Sequence, residues 1–497
     1  MSTLKPNLFL FGIILILVVL VSTVEETWQI KFVPLWTDIL IYVLMVAVLL
    51  FGIQARHKEH LRAPWRHVVQ RPLAMSALVV LAFYVVVGLM DSIHFRQMLE
   101  KQPGQTETQY SGEVVSLFDV LVTPIRVQHE KSYSAPFAAF LYSKETIETA
   151  EGQVRDYPRL LYGGRHLKNP AEDRIPNLVM GIFLSFVFTV LIFLVVSAAL
   201  ILLVARRHKA SFADTMTAIS TGNTRIPFRA MLMTFGVICF FVVVGIMLAD
   251  KYHLLGTDKV GNDVLYLSLK SIRTGLVIGT LTTLIMLPFA ILLGIMAGHY
   301  RGWIDDVIQY IYTTLNSIPG VLLIAAAILS LQVYMAINPQ MFDTVTERAD
   351  LRLLFLCLIL GITSWTGLCR LLRAETFKIS QLDYIDAATA FGTGHFKTMI
   401  RHILPNVMHI VLIAVVLDFS GLVLAEAVLS YVGVGVDPTT ISWGNMINSA
   451  RMEMAREPVV WWSLTAAFLF MFTLVLAANL FSDAVRDAFD PRITRSK

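Results

Sequence analysis

Charge is scarce in this sequence: Asp, Glu, Lys and Arg make up 15% of its 497 residues, against 56% hydrophobic residues. That balance excludes water as the solvent around most of the surface and predicts an integral membrane protein. Cysteine is scarcer still. Cys239, Cys357 and Cys369 each fall in an apolar run, which excludes a disulfide framework or a zinc-ligand spacing and leaves them as small core residues. H-E-x-x-H, G-x-S-x-G and a complete G-x-x-x-x-G-K-[ST] are all missing. Metalloprotease, serine-hydrolase and nucleotide-hydrolase chemistry therefore have no motif to stand on, and the chain reads as non-enzymatic. The net charge of +4 is small, and the bases lie beside apolar runs rather than in an aromatic groove. No nucleic acid partner is expected; anionic lipid headgroups fit better.

Apolar runs are what the sequence has in abundance. Ten are candidates to cross a membrane as helices: 8 to 24, 36 to 53, 73 to 90, 177 to 204, 230 to 248, 276 to 297, 311 to 335, 353 to 372, 410 to 429 and 459 to 480. Each satisfies its own backbone hydrogen bonds in lipid, so the fold class is all-α and polytopic. The run Leu8 to Val24 is followed by Glu25, Glu26 and Trp28, a poor cleavage site, and reads as a retained anchor. With both termini cytoplasmic, the inner segments hold 20 Lys plus Arg against 9 in the short outer loops, and bases near short loops stay inside. A polar outer loop, 91–176, is either a folded cap or a loose cover. "RAPWR" before the third span and "RIPFR" before the fifth read as amphipathic lead-ins of a general kind. Pro288 and Pro319 read as tolerated kinks rather than hinges, and His57, His60 and His67 as a solvated, lipid-facing segment rather than a metal site.

A 37-residue inner segment, 373–409, is long for a connection between packed spans, and long ordered loops tend to carry function. Within it "DAATAFGTGHFKTMIRHILP" runs from Asp386 to Pro405. Its glycine spacing is wrong for a phosphate loop. Two short helices are expected instead: one capped by Ser380 with Asp383 in a box-like pattern, a turn at Gly392, and a second capped by Thr393 and stopped before Pro405. Ala387 and Ala388 let a partner approach closely.

"DYIDAATAFGTGHFKTMIRHILPN" resembles the cytoplasmic coupling loop of permease subunits in ATP-binding-cassette importers. Three further stretches in order, "HLLGTDKVGNDVLY", "AEAVLSYVGVGVDPTTISWGNM" and "DAVRDAFDPR", resemble the dipeptide, oligopeptide and nickel permease family. The resemblance covers about 225–497 and implies a six-span type I permease core there, with 1–224 as an N-terminal extension carrying four more spans. It departs at Asp386, where Glu is usual, and at Asn262, where Arg is common.

The resemblance further implies that Asp386, Ala387, Ala388, Gly392, Leu404 and Pro405 couple the chain to an ATPase. It implies as partners a second permease, two ATPase subunits and an extracytoplasmic solute-binding protein, in a bacterial inner membrane. ATP and magnesium would sit on those partners, with no cofactor on this chain. The loop Gly256, Thr257, Asp258, Gly261 and Asp263 is a candidate outer docking surface, or else a plain Gly and Asp turn. Asp418 and Glu426, eight apart in one apolar span, are candidates for the translocation path or for structural pairing. Peptides or similar small solutes would be the cargo. The rival classes are an ion-coupled secondary transporter and a non-transporting scaffold.

Overall fold

A computed structural model of the chain describes residues 30–55, 59–99, 109–149, 152–338 and 344–489. The expected span 8 to 24 and the end of the Asp483 motif lie outside the described residues. Among the described residues nine apolar helices carry the architecture: α1 (Trp36–Ala55), α2 (Pro72–Asp91), α3 (Pro170–His208), α4 (Phe228–Leu248), α5 (Val264–Tyr300), α6 (Gly320–Ile337), α7 (Val345–Ile379, with a turn at Trp365), α8 (His395–Tyr431) and α9 (Trp462–Phe489). Among the described residues, α2 to α9 are long and apolar enough to cross a membrane, and α1 holds a shorter apolar stretch, Trp36–Leu50.

Several helices extend beyond their expected apolar runs, and two of the differences turn on proline. The run 311 to 335 is broken into an amphipathic helix, Trp303–Ser317, and α6. Pro319 lacks an N–H, and the residue before it, Ile318, is driven into the extended region at φ −88°, ψ 128°, where no helix continues. Pro405, by contrast, does not stop its helix. A π turn at Met399–Ile403, in which the Leu404 N–H donates to the Met399 carbonyl, places Pro405 in a fresh first turn where a missing N–H costs nothing. As a result α8 begins at His395 rather than near 410.

The long helix α5, 37 residues and so about 55 Å, is the central post against which α2, α7 and α8 pack. Glycines bring α7 close: a Cβ at Gly294 would lie 2.8 Å from Leu372 Cβ, and one at Gly298 2.6 Å from Thr376 Cβ. The N-terminal extension is built into this body. Helix α2 packs against α4, α5 and α9, and Tyr84 donates its hydroxyl to the Phe470 carbonyl at 2.8 Å. The "RAPWR" lead-in lies in the helix Glu59–Gln70; its Trp65 meets the rings of Phe481 and Phe489, and Arg71 reaches Asp487 at 2.7 Å.

The segment between α2 and α3 is a folded cap, which settles the choice between cap and loose cover. Strands β1 (Ile30–Phe32), β2 (His94–Gln97) and β3 (Val115–Ser116) form an antiparallel sheet in that order, with Phe95 opposite both Phe32 and Val115. Strands β4 (Glu145–Thr149) and β5 (Gly152–Asp156) form a hairpin. These strands add a small β part to an otherwise helical protein. The cap covers one end of α5, and the segment 380–403 lies at the other, where His299 Nε2 is 3.2 Å from His395 Nδ1.

Candidate functional site: an exposed knuckle and a clasped cap

The inner segment folds as a knuckle. Its first helix, Asp383–Ala390, starts after Leu382, while Ser380 ends the preceding helix instead of capping this one. The second starts after Gly394, so Thr393 is not its cap. In both places the helix starts one or two residues later than the polar side chains invite, and Ile385 joins Met399 and Ile403 in one buried cluster. The expected turn is present. Gly392 has φ +81°, the Thr393 N–H reaches the Ala388 carbonyl, and the Gly392 N–H reaches that of Thr389, the paired bonds of a Schellman end.

Ile385, Thr398 and Met399 anchor the knuckle, while Asp386, Ala387, Gly392 and Pro405 are exposed and Ala388 and Leu404 are half-buried. Phe391 is 91% exposed and Phe396 70%. Leu382 and Tyr384 are exposed near them. Sequence reading missed these aromatics because it weighed alanines; the signal was two phenylalanines flanking a glycine turn.

At the other end, the loop 253–263 is closed rather than open. His253 Nδ1 is 2.7 Å from Asp263 Oδ2, and His253 Nε2 is 3.3 Å from Glu130 Oε1 in the cap. Glu130 also accepts the N–H groups of Leu161, Tyr162 and Gly163 at 2.8 to 3.1 Å. Thr257 exchanges bonds with Ser132 and Ser134 of the cap, and the Trp462 indole N–H donates to its carbonyl at 2.9 Å. Asp258 folds the turn on itself by accepting from the Val260 and Asn262 amides, and the Asn262 side chain bonds that same carboxylate at 3.1 Å. Gly256, Thr257, Gly261 and Asp263 are buried, and Asp258 is half-buried. The loop is thus a Gly and Asp turn whose inner side is covered by the chain's own cap, with Lys259 and Val260 left exposed.

Burial opposes a charge on His253, but the hydrogen bonds it donates to Asp263 and Glu130 and their negative charges outweigh it, and its pKa is pushed up to about 9. Burial likewise favours neutral Glu130, yet the bonds from His253 and the three amides hold it below the usual carboxylate range. A group raised in the folded state stabilises it fully below its unfolded value, near 6.5, and that stabilisation is lost as pH rises through about 9. Thermal unfolding of the detergent-solubilised protein should therefore fall in midpoint between pH 7 and pH 10, and His253→Gln should flatten that fall. Equal slopes would show that this histidine does not hold the cap.

A second cluster joins the cap to the head of α5. The Lys270 ammonium lies 2.5 Å from Asp119 Oδ2 and 3.2 Å from Asp91 Oδ1; Tyr266 donates to Asp119 at 2.9 Å and Ser116 to Asp91 at 2.6 Å. Burial would raise the Asp119 carboxyl, but the Lys270 charge wins and keeps it low. One turn further on, Arg273 donates to Asp38 of α1 at 2.6 and 3.2 Å and lies 3.6 Å from Asp350 of α7. Asp38 is bonded in turn to His94 at 2.8 Å. The sequence signal was available: two bases three apart at the head of an apolar run demand partners.

The two intramembrane acids part company. Glu426 is 2% exposed and accepts from Ser430 at 2.7 Å and Ser442 at 3.0 Å. A Cβ on Gly444 would sit 2.6 Å from its Oε1, and the neighbouring Trp443 indole donates to the Ser268 carbonyl. Glu426 thus fastens the loop after α8, the arrangement expected of the structural alternative. Asp418 is half-buried and lies beside the exposed stripe Leu417, Leu424 and Val428.

Among the described residues, nine apolar helices, a projecting apolar knuckle and a cap clasped to the opposite end define a polytopic α-helical membrane protein. Comparison with known proteins specifies it further. A family model described as binding-protein-dependent transport system inner membrane component matches residues 290–495. The glutathione transport system permease protein of Pectobacterium atrosepticum is 32% identical over 243 residues, 48% of this chain and 73% of that protein. The di/tripeptide transport system permease protein of Pseudomonas aeruginosa is 32% identical over 240 residues, 48% of this chain and 72% of that protein. The oligopeptide transport system permease protein of Mycobacterium tuberculosis is 28% identical over 239 residues, 48% of this chain and 76% of that protein. The chain belongs to the binding-protein-dependent transport system inner membrane component family, the permeases of ATP-binding-cassette importers.

Proposed function

We propose that this chain moves peptides or similar small solutes inward across a bacterial inner membrane. In this reading it pairs with a second permease and is driven by two separate ATPase subunits that hold ATP and magnesium, with both termini and the knuckle cytoplasmic. An extracytoplasmic solute-binding protein delivers the cargo on the cap side. Residues 225–497 form the permease body and 1–224 the extension. The observation that carries the reading is the knuckle: an ordered, projecting turn that exposes Phe391 and Phe396 beside small alanines. Aromatic side chains so exposed at a polar turn support a protein contact, and Ala387 and Ala388 leave room for it. The names of the relatives supply the solute class.

Ala387 is exposed, so Ala387→Trp should leave the chain folded while blocking the approach. Co-purification of the ATPase subunits and ATP-driven uptake of a tripeptide into reconstituted vesicles should each fall at least about tenfold, the loss of a well-packed interface contact. Wild-type levels of both in Ala387→Trp would sink the reading. Uptake that persists with hydrolysis abolished would point instead to ion-coupled transport.

A further inference from the structure

Between the cap, the head of α5 and the start of α7 lies a cavity of about 570 Å³, which shares Val114, Lys270, Val345 and Thr346 with a recess of about 210 Å³. The volume falls in the range of roughly 300 to 1,000 Å³ typical of small-molecule sites. Its charged lining is three bases, Arg96, Arg126 and Lys270, against two acids, Glu113 and Asp119. Two of the bases are engaged. Arg126 bonds Glu113, and Lys270 is held by Asp91 and Asp119. Arg96 is different. Its closest ion pair, with Glu347, is a loose 3.8 Å, and its buried Nε has no hydrogen-bond partner among the described residues. A guanidinium offers five donors in a planar fork that fits a carboxylate. Facing the same cavity, Thr344, Val345 and Thr346 open α7, where backbone N–H groups precede any intrahelical acceptor and the helix dipole favours negative charge.

We propose that this cavity binds a small carboxylate-bearing solute, with Arg96 and the first turn of α7 receiving the carboxylate. Selection for the anion rests on the Arg96 fork rather than on net charge, since Glu347 and Asp91 stand beside Arg96 and Lys270, and the Lys270 cluster fixes the wall behind it. The site joins extension and permease body, since Arg96, Glu113 and Asp119 come from the cap and Lys270 and Thr346 from α5 and α7.

The choice of probe rests on the peptide reading. Full-length protein in detergent, without any ATPase, is titrated calorimetrically with trialanine and with trialanine amide, which differ only in the carboxylate. Trialanine should bind at least about tenfold more tightly, the worth of a charge-assisted bidentate contact. Arg96→Gln should bring trialanine to the level of the amide, and Arg96→Lys should retain part of the preference. Equal binding of acid and amide by the wild type, binding of neither, or an undiminished preference in Arg96→Gln overturns the proposal. The wild-type comparison decides even if Arg96→Gln fails to fold. Since no ATPase is present, failure here leaves the transport reading standing, and failure of ATP-driven uptake leaves this site standing.

Discussion

Gly261→Ala should unseat the cap. Gly261 has φ +83°, and a Cβ there would lie 1.7 Å from the Glu130 carbonyl oxygen and 2.4 Å from its carbon. Those neighbours are backbone, so no side chain can swing away; the cap segment around Glu130 must itself move. Moving it breaks the bond from the Glu130 N–H to the Gly261 carbonyl, 3.0 Å, and pulls Glu130 from His253. Left-handed backbone strain on a residue with a Cβ adds about 1 to 3 kcal/mol, and loss of the buried, hydrogen-bonded carboxylate adds at least as much, so the expected destabilisation is about 3 kcal/mol or more. Limited trypsin digestion of the full-length protein in detergent reads the effect: cleavage within the cap, silent in wild type, should become rapid. Gly112→Ala is the control, since a Cβ there meets nothing within 4 Å and its digestion should match wild type. A cap as resistant in Gly261→Ala as in wild type would refute the clasp.

Asp38→Ala should be nearly as damaging, for an electrostatic reason. Asp38 has a side chain 3% exposed and faces Arg273, 11% exposed, and His94, 7% exposed. Removing the carboxylate leaves the guanidinium with Asp350 at 3.6 Å and the Thr37 hydroxyl at 2.9 Å. Breaking a buried pair from one side costs about 3 to 5 kcal/mol, because the remaining charge is left uncompensated. Arg273→Met combined with Asp38→Ala should therefore be less damaging than the sum of the two single changes, the mark of direct coupling. Thermal unfolding midpoints of the four proteins test this. Additive losses would mean that α1 and α5 are held by packing alone.

These two contacts also show what the sequence could and could not reveal. Apolar runs declared the spans, since a length of about 20 apolar residues has few other uses, and Gly392 declared its turn. The knuckle's projection followed from its alanines and glycine, though its capping residues did not, since Ser380 and Thr393 lie one or two residues before the caps that the helices use. Asp38 and Arg273 are 235 residues apart, and Glu130 and His253 are 123 apart; no local pattern links such pairs. Glu426 stood open between path and structural residue because its apolar neighbours are contiguous, while its partner Ser442 arrives only after the chain turns back. Pro405 looked like a stop because a π turn leaves no compositional trace.

That π turn has a mechanical consequence. With it, the stretch from His395 in the knuckle to Tyr431 is one rod of 37 residues, about 55 Å long, whose far end is tied by Glu426 to the loop beneath the α5 head. A seesaw built this way has no slack joint between the place where force is applied and the plank. Any stroke delivered at Phe396 would tip the opposite end in the reverse sense, toward or away from the roof that the cap forms.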